Sequence, residues 1–521
     1  MIFLGLDSST QSLTAILINT QTRQILHEAA VQFDTDLPQY GTTHGVLPDD
    51  DPRVAHTPPD LWVDALDLLC SNLRADGVDL GEVAAVSGSG QQHGSVYLNA
   101  RANSCLSALT PSAPLVEQLR PCFARATSPI WMDSSTTSQC EEIRDSLGGP
   151  SATAEATGSS TFERFTGPQI RKYYQADPDA YASTAHIALV SSFMASVLTG
   201  RIAPIDHGDG AGMNLMDIRD KSWHPQAVEA TAPGLETRLP RLVHPWTDLG
   251  CISNYFVQKF GFRSSARMIA WSGDNPNSVA GLGLVEPGSV AISLGTSDTY
   301  FGTMAACQTD PRGEGHVFGS PTGDYMTLIC FKNGSLARER IRDAHHLDWD
   351  GFSAALRATP PGNDGKLMLP WFEPEIVPHV LSPGVHRRGL EESDGPGSCR
   401  AVVEAQMISM KNHSEWMGVR PTTIYATGGA SANREILQIM ADVQGCPVHR
   451  TDVANSAALG AALRAAHGYF KAEGKTPDWE ALVAGFTDPV PDFTTNPDSN
   501  LRMLYDRQAE LYRAFEVEMS C

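Results

Sequence analysis

Trp271-Ser272-Gly273-Asp274-Asn275-Pro276, followed by Val290-Ala291-Ile292-Ser293-Leu294 and Gly295-Thr296-Ser297-Asp298-Thr299, is the stretch on which the reading of this chain turns. Asp274 stands on a turn, with a glycine before it and Asn-Pro after it. The apolar run 290–294 has the length and composition of a buried strand, and it ends in a turn made of hydroxyls. A lone carboxylate on a turn and a hydroxyl-rich turn of phosphate size are parts needed to move a phosphoryl group onto a hydroxyl. The plainer alternative makes Asp274 a helix N-cap and the Gly-Thr-Ser turn an ordinary hairpin, since Asp is among the commonest caps. On this stretch alone both stay open.

The same arrangement recurs at the start of the sequence. Met1 to Leu6 and Leu13 to Ile18 are apolar runs joined by Asp7-Ser8-Ser9-Thr10-Gln11-Ser12. That turn offers a carboxylate and hydroxyls of the kind a magnesium-nucleotide needs, and Gly5 inside the first strand hints at close approach. A single hairpin of this sort is usually only a hairpin. Two of them, opening two halves, predict a duplicated architecture with the phosphates held between the turns.

Bulk properties bound the possibilities. At 521 residues the chain is too long for one core, so two domains or more are expected. Its 41% hydrophobic content fits a globular enzyme without a membrane span. Met1 to Asp7 lacks a basic segment and a cleavage site, and reads as a buried strand, not a signal peptide. Ten cysteines without a C-x-x-C pair suggest reduced thiols in a cytoplasmic setting and no zinc site. A formal charge of -22 argues against a nucleic-acid or anionic-membrane surface. A nucleotide is still admitted, because backbone amides and a magnesium ion can hold phosphates locally.

Further motifs lie on either side of the central stretch. Leu61 to Leu73 has helical spacing, and Val83 to Ser87 is a short buried strand running into Gly88-Ser89-Gly90-Gln91-Gln92-His93-Gly94-Ser95. Glutamine and histidine at such a strand end donate and accept hydrogen bonds, as polyol recognition requires. Ile130 to Thr136 looks like a strand end before a helix, with Asp133 as cap or sugar partner, capping being the better reading on chemistry alone. Arg164, in Glu163-Arg164-Phe165-Thr166-Gly167, reads first as half of an exposed ion pair. His186 to Leu198 is expected as an amphipathic helix closed by Gly200. Asp206 to Asn214 is a glycine-dense loop where small residues let a ligand approach.

In the second half, Ile424-Tyr425-Ala426-Thr427-Gly428-Gly429-Ala430-Ser431-Ala432-Asn433 is strand, glycine turn and the start of a helix. It is neither a dinucleotide fingerprint nor a P-loop, yet paired glycines at a helix N-terminus let ribose or phosphates lie against backbone. The small-residue helix from Asn455 to Ala466 is expected to pack under that turn. Residues 358–400 resist assignment, and the tail, with a helix at 501–517, reads as peripheral.

Taken in order, Gly5-Leu6-Asp7-Ser8-Ser9-Thr10-Gln11-Ser12, Ser87 to Gly94, Trp131-Met132-Asp133-Ser134-Ser135-Thr136-Thr137, Gly273-Asp274-Asn275-Pro276, Ser293 to Thr299 and Ala426 to Ser431 resemble the FGGY carbohydrate kinases. Within that family the likeness is to the D-xylulose kinases of the longer, eukaryotic type. The resemblance implies an α/β fold of two actin-like, ribonuclease H-like ATPase domains flanking a cleft, read here as 1–282 for sugar and 283–521 for ATP. It implies ATP-dependent phosphorylation of a ketopentose, D-xylulose to D-xylulose 5-phosphate, with Mg2+, by a monomer or homodimer. By motif, Asp274 would be the general base and Asp7 would hold the magnesium. Thr10 and Thr296 would lie against phosphates. His93, Arg164, Asp274, Asn275, Gln92 and Asp133 would serve the ketose, and Gly428, Gly429, Asn433 and Trp349 the adenosine. The alternatives are a kinase for another ketose or polyol, a non-catalytic sugar-sensing relative, and an actin-like filament subunit. The last two are disfavoured by the two aspartates and by the polar loop at 88–95.

Overall fold

The structure is a computed structural model and describes residues 1–520. The chain forms two compact units. The first comprises Met1–Val285, Val317–Met326 and Val453–Thr487, and the second Glu286–His316, Thr327–Asp452 and the residues from Asp488 onward. The units are thus not simply 1–282 and 283–521, because two later segments return to the first.

The first unit is built on a sheet of β1 (Ile2–Ser8), β2 (Ser12–Asn19), β3 (Gln24–Gln32), β4 (Val83–Gly90), β5 (Asp248–Cys251), β6 (Arg267–Ile269) and β7 (Ser272–Gly273). Its order is β5-β6-β4-β1-β2-β3, with β7 also on β4. β1 pairs antiparallel with β2, and β4 runs parallel to β1, β6 and β7. Side chains alternate across β1, so Leu4 and Leu6 enter one core with Leu61, Trp62 and Leu66 of the helix Pro59–Ala75. Phe3 enters the other, with Ile16, Ile18, Ala84, Ala458, Ala462 and Leu463. Burial on both faces explains the near-continuous apolar runs in the sequence.

That second core is why 453–487 belongs here. The helix Ser456–Ala472 covers the face of the sheet that the early helices leave bare. It comes close enough that a Cβ on Gly5 would stand 2.1 Å from the Ala458 carbonyl oxygen, so only glycine fits. The helix therefore packs on the first sheet, and the expectation that it lies under the 428–429 turn is not met.

The second unit repeats the plan with β8 (Ser289–Leu294), β9 (Asp298–Met304), β10 (Tyr325–Phe331), β11 (Thr423–Thr427), β12 (Val448–Arg450) and β13 (Thr494–Thr495). The order is β10-β9-β8-β11-β12-β13. β8 pairs antiparallel with β9 and parallel with β11, as β1 does with β2 and β4. The recurrence of a hairpin in the sequence is thus a recurrence of whole sheets.

Three expectations change. His186 to Leu198 is not one helix: Thr184–Leu189 is a strand, paired with Ser95–Asn99, and Val190–Thr199 is a helix buried on every side. Residues 367–388 contain a hairpin, Leu367–Trp371 against Gly384–Arg388. The terminal helix Arg502–Ser520 is not peripheral, since Tyr505, Tyr512 and Phe515 are buried and the Tyr505 hydroxyl donates to Glu404 at 2.8 Å. Among the described residues no helix is long and apolar enough to cross a membrane.

Candidate active site

Sheet register assembles the first part of the site. Asp7 of β1 stands level with Ser89 of β4, and Ser89 with Ser272 of β7. One step on, Ser8, Gly90 and Gly273 are level. Asp274 and Gln91 therefore leave the sheet side by side at the carboxyl ends of parallel strands, where α/β sheets bind ligands.

Asp274 is the first residue of the helix Asp274–Gly281, and the N-cap position is Gly273's. Its Oδ1 accepts the Asn275 backbone N–H at 2.8 Å, Asn275 Nδ2 at 3.1 Å and the Gln92 backbone N–H at 3.3 Å. All three donors converge on one oxygen. Burial pushes the carboxyl up to about 6. Asp7 is lifted further, to about 7, by burial and then by the charge of Asp274.

His93 adopts a left-handed backbone, φ 73°, that turns its ring inward. Its Nδ1 donates to the Gly212 carbonyl at 2.7 Å, which leaves Nε2 with the lone pair. Burial and the nearby Arg164 cation lower its pKa to about 3, so the imidazole is neutral. The ring stacks on Phe165 at 4.2 Å, and the Arg164 guanidinium lies 5.5 Å from the same phenyl ring. Phe165 thus joins the two residues. Gln92 Oε1 accepts from Asn275 Nδ2 at 2.8 Å, linking the glycine loop to the Asp274 turn.

Asp133 is fully buried and its oxygens are engaged by protein donors. Oδ2 accepts the Ala55 N–H at 3.1 Å, and Oδ1 accepts the Ser135 N–H at 3.0 Å and Gln169 Nε2 at 2.8 Å. It does not cap the helix Thr137–Ser146, whose N-cap position is Thr136's. Thr10 Oγ1 accepts the Trp131 indole N–H at 2.8 Å.

Asp209 was not singled out in the sequence, although an Asp-x-x-Asp pair inside a glycine-rich run was the available signal. Asp206 caps the short helix His207–Gly210, accepting the Asp209 N–H at 2.9 Å. Asp209 Oδ2 accepts the Ser191 hydroxyl, and burial raises its carboxyl well above the usual range. Asp7 Oδ1, Ser8 Oγ, Ser89 Oγ, both amide atoms of Gln91, Gln92 Nε2 and Asp209 Oδ1 are buried without a hydrogen-bond partner among the described residues. Each such atom costs roughly 1–3 kcal/mol if left unsatisfied. Water or a ligand must meet the needs that the protein leaves unmet at these atoms.

The second unit holds a cavity of about 820 Å³ lined by Thr296, Trp349, Arg357, Gly429 and Asn433 among others. Trp349 opens the helix Trp349–Ala358 and is 41% exposed, with the Arg342 guanidinium 4.5 Å from its ring. Asn433 caps the helix Arg434–Gln444, accepting the N–H groups of Glu435 and Ile436 at 3.0 and 3.2 Å, while its amide donates to Ser353 at 2.8 Å. The two glycines differ. At Gly428, φ 81°, a Cβ would meet the Leu294 carbonyl oxygen at 2.6 Å, whereas Gly429 faces open space. Gly429 lines the cavity and Gly428 does not. Asp298 of the hydroxyl turn is committed to structure, held by a buried two-pronged ion pair with Arg338 at 2.8 and 3.0 Å.

Known proteins resemble the chain in sequence and in fold. The profile of the FGGY family of carbohydrate kinases matches residues 124–281 with its N-terminal domain and 290–469 with its C-terminal domain. Xylulose kinase 2 of Arabidopsis thaliana is 47% identical over 490 residues, covering 90% of this chain and 87% of its own. Xylulose kinase of Rattus norvegicus is 43% identical over 521 residues, covering 98% and 96%. The crystal structure of xylulose kinase from Rhodospirillum rubrum superposes with a TM-score of 0.82 at 20% identity, covering 100% of this chain and 99% of that one.

Proposed function

The chain belongs to the FGGY family of carbohydrate kinases, and from that premise we propose that it transfers the γ-phosphoryl group of ATP to D-xylulose, giving D-xylulose 5-phosphate. The observation that carries the acceptor is identity of 47% and 43% to two xylulose kinases along nearly the whole chain. In this reading Asp274 is the general base. Its Oδ1 is fixed by three donors, so Oδ2 takes the proton of the sugar's terminal hydroxyl. A carboxylate raised to about 6 is ionised at neutral pH yet basic enough to accept that proton as the oxygen attacks phosphorus.

The first unit orients the ketose. Neutral His93 presents an acceptor at Nε2, Arg164 supplies donors, and Gln92 and Asn275 hold each other at the same wall. Asp133 acts on the sugar through the loops it ties together, its own oxygens being engaged. The second unit holds the nucleotide in its cavity, with Trp349 as a face for the base and Asn433 and Gly429 beside it. Gly428 permits the close turn, and Thr10 and Thr296 serve the phosphates. The unpartnered Oδ1 of Asp7 fits a divalent cation. Among the described residues no cluster of three or more His, Cys, Asp or Glu surrounds a cation position, so Asp7 would share the ion with phosphates and water. Bound there, Mg2+ would neutralise charge on the transferring oxygens. The nine described cysteines are free thiols, which supports a reducing, cytoplasmic setting. The proposed working form is a monomer or homodimer.

The test is a panel of ketoses, aldoses and polyols at fixed ATP. D-xylulose is expected to give the highest kcat/KM. A higher value for glycerol or another polyol would overturn the assignment of the acceptor.

A further inference from the structure

Arg464 lies in the helix Ser456–Ala472, among alanines and leucines, and is 1% exposed. Its Nη1 donates to Asn277 Oδ1 at 2.9 Å, and its Nη2 to Asp206 Oδ2 at 3.0 Å and to the Pro245 carbonyl at 2.9 Å. Both acceptor side chains lead to the turn that bears Asp274. Asp206 Oδ1 accepts the Ser272 hydroxyl at 2.8 Å, two residues before Asp274. Asn277 Nδ2 donates to the Gly273 carbonyl at 2.8 Å and to the Gly88 carbonyl at 3.3 Å. One guanidinium therefore grips the strand entering the Asp274 turn and the helix leaving it.

The frame behind this grip is stiff. A Cβ on Gly460 would stand 1.8 Å from the Asn277 carbonyl oxygen, and one on Gly281 would stand 1.8 Å from that of Ser456. The two helices are in backbone contact and cannot slide without a clash. A buried ion pair of this kind is a poor source of stability, because a well-packed apolar residue does as well or better. Lysine could match the charge of Asp206, but it lacks the planar fork that reaches acceptors on three segments at once. The network calls for a geometric role.

We propose that Arg464 is a positioning residue for Asp274, holding the catalytic carboxylate's turn from both sides through Asp206–Ser272 and through Asn277. The proposal rests on Asp274 being the general base. A misplacement of about 1 Å in such a site costs on the order of 10²-fold in rate.

The experiment is a double-mutant cycle on the full chain with Arg464→Lys, Asp274→Asn and the two combined, measuring kcat, both KM values and the thermal midpoint. Arg464→Lys is expected to lower kcat by about 10–100-fold with sugar and ATP KM within about 3-fold. In the Asp274→Asn background the same change should cost under about 3-fold, because the group it positions is gone. Turnover of Arg464→Lys within about 2-fold of the parent, or an undiminished loss in the Asn background, overturns the proposal. Near-normal turnover of Asp274→Asn alone would instead sink the base assignment, a failure seen before Arg464 is consulted. Should Arg464→Lys not fold, Ser272→Ala removes a single hydroxyl of the same network. It should cost about 3–10-fold in kcat, again only while Asp274 is present, and unchanged turnover overturns the proposal.

Discussion

Asp274 is held by one oxygen, and its assigned work falls to the other. Asp274→Asn keeps the shape and loses the proton acceptor, so kcat should fall by about 10²–10⁴-fold. The thermal midpoint should hardly move, since Gly273 and not Asp274 occupies the cap position. Near-normal turnover would end the catalytic assignment. The raised pKa gives a second check. Asp274 and Asp7 both work ionised, so kcat/KM should fall as pH drops through about 7 and then about 6, and level off only above about 7. An acid limb near the ordinary aspartate value would contradict the burial seen here. His93 and Arg164, joined through Phe165, are expected to answer to the sugar alone. Their Ala variants should raise the sugar KM and leave the ATP KM within a few-fold, as steady-state kinetics with each substrate varied would show. Equal losses for both substrates would contradict the division.

Among the elements, the cavity proposed for the nucleotide offers a test that separates capping from binding. Asp caps a helix about as well as Asn, but it cannot make the bond Asn433 donates to Ser353 and would bring a negative charge into the cavity. Asn433→Asp should raise the ATP KM several-fold with the thermal midpoint nearly unchanged. A lowered midpoint with normal KM would make Asn433 only a cap. Packing is tested at Gly460, where a Cβ meets the Asn277 carbonyl oxygen at 1.8 Å. Gly460→Ala should destabilise the protein by about 1–3 kcal/mol or more, read in a denaturant titration. These elements also show what the sequence could reveal. The two hairpins, the glycine turn at 428–429 and its helix were legible because local chemistry sets them. The strand Thr184–Leu189 was not, since its partner Ser95–Asn99 lies far away in the chain and its apolar residues also fit helical spacing. Arg464 stood in plain sight as the one arginine of an alanine-rich helix. Nothing local says that its partners are Asp206 and Asn277.

For the whole molecule, a sequence reading that divides the chain near its middle captures the duplicated sheets but not the returning segments. A boundary can be read from a motif, whereas membership of a core depends on which face is left uncovered. The uncovered face here belongs to the first sheet, and it is closed by Ala458, Ala462, Leu463 and Ala466, near the end of the chain. Protein synthesis runs in one direction, so order of manufacture and order of completion differ. A ribosome that has passed residue 285 has made most of the first unit, yet Phe3, Ile16 and Ile18 still lack their cover. In nascent chains arrested at successive lengths, protease resistance of the first unit should appear only once residues 453–487 have emerged. Resistance in chains arrested before residue 453 would contradict this. Until then, for the time it takes to translate the second unit, the earliest-made strands present an apolar surface to whatever the cell supplies.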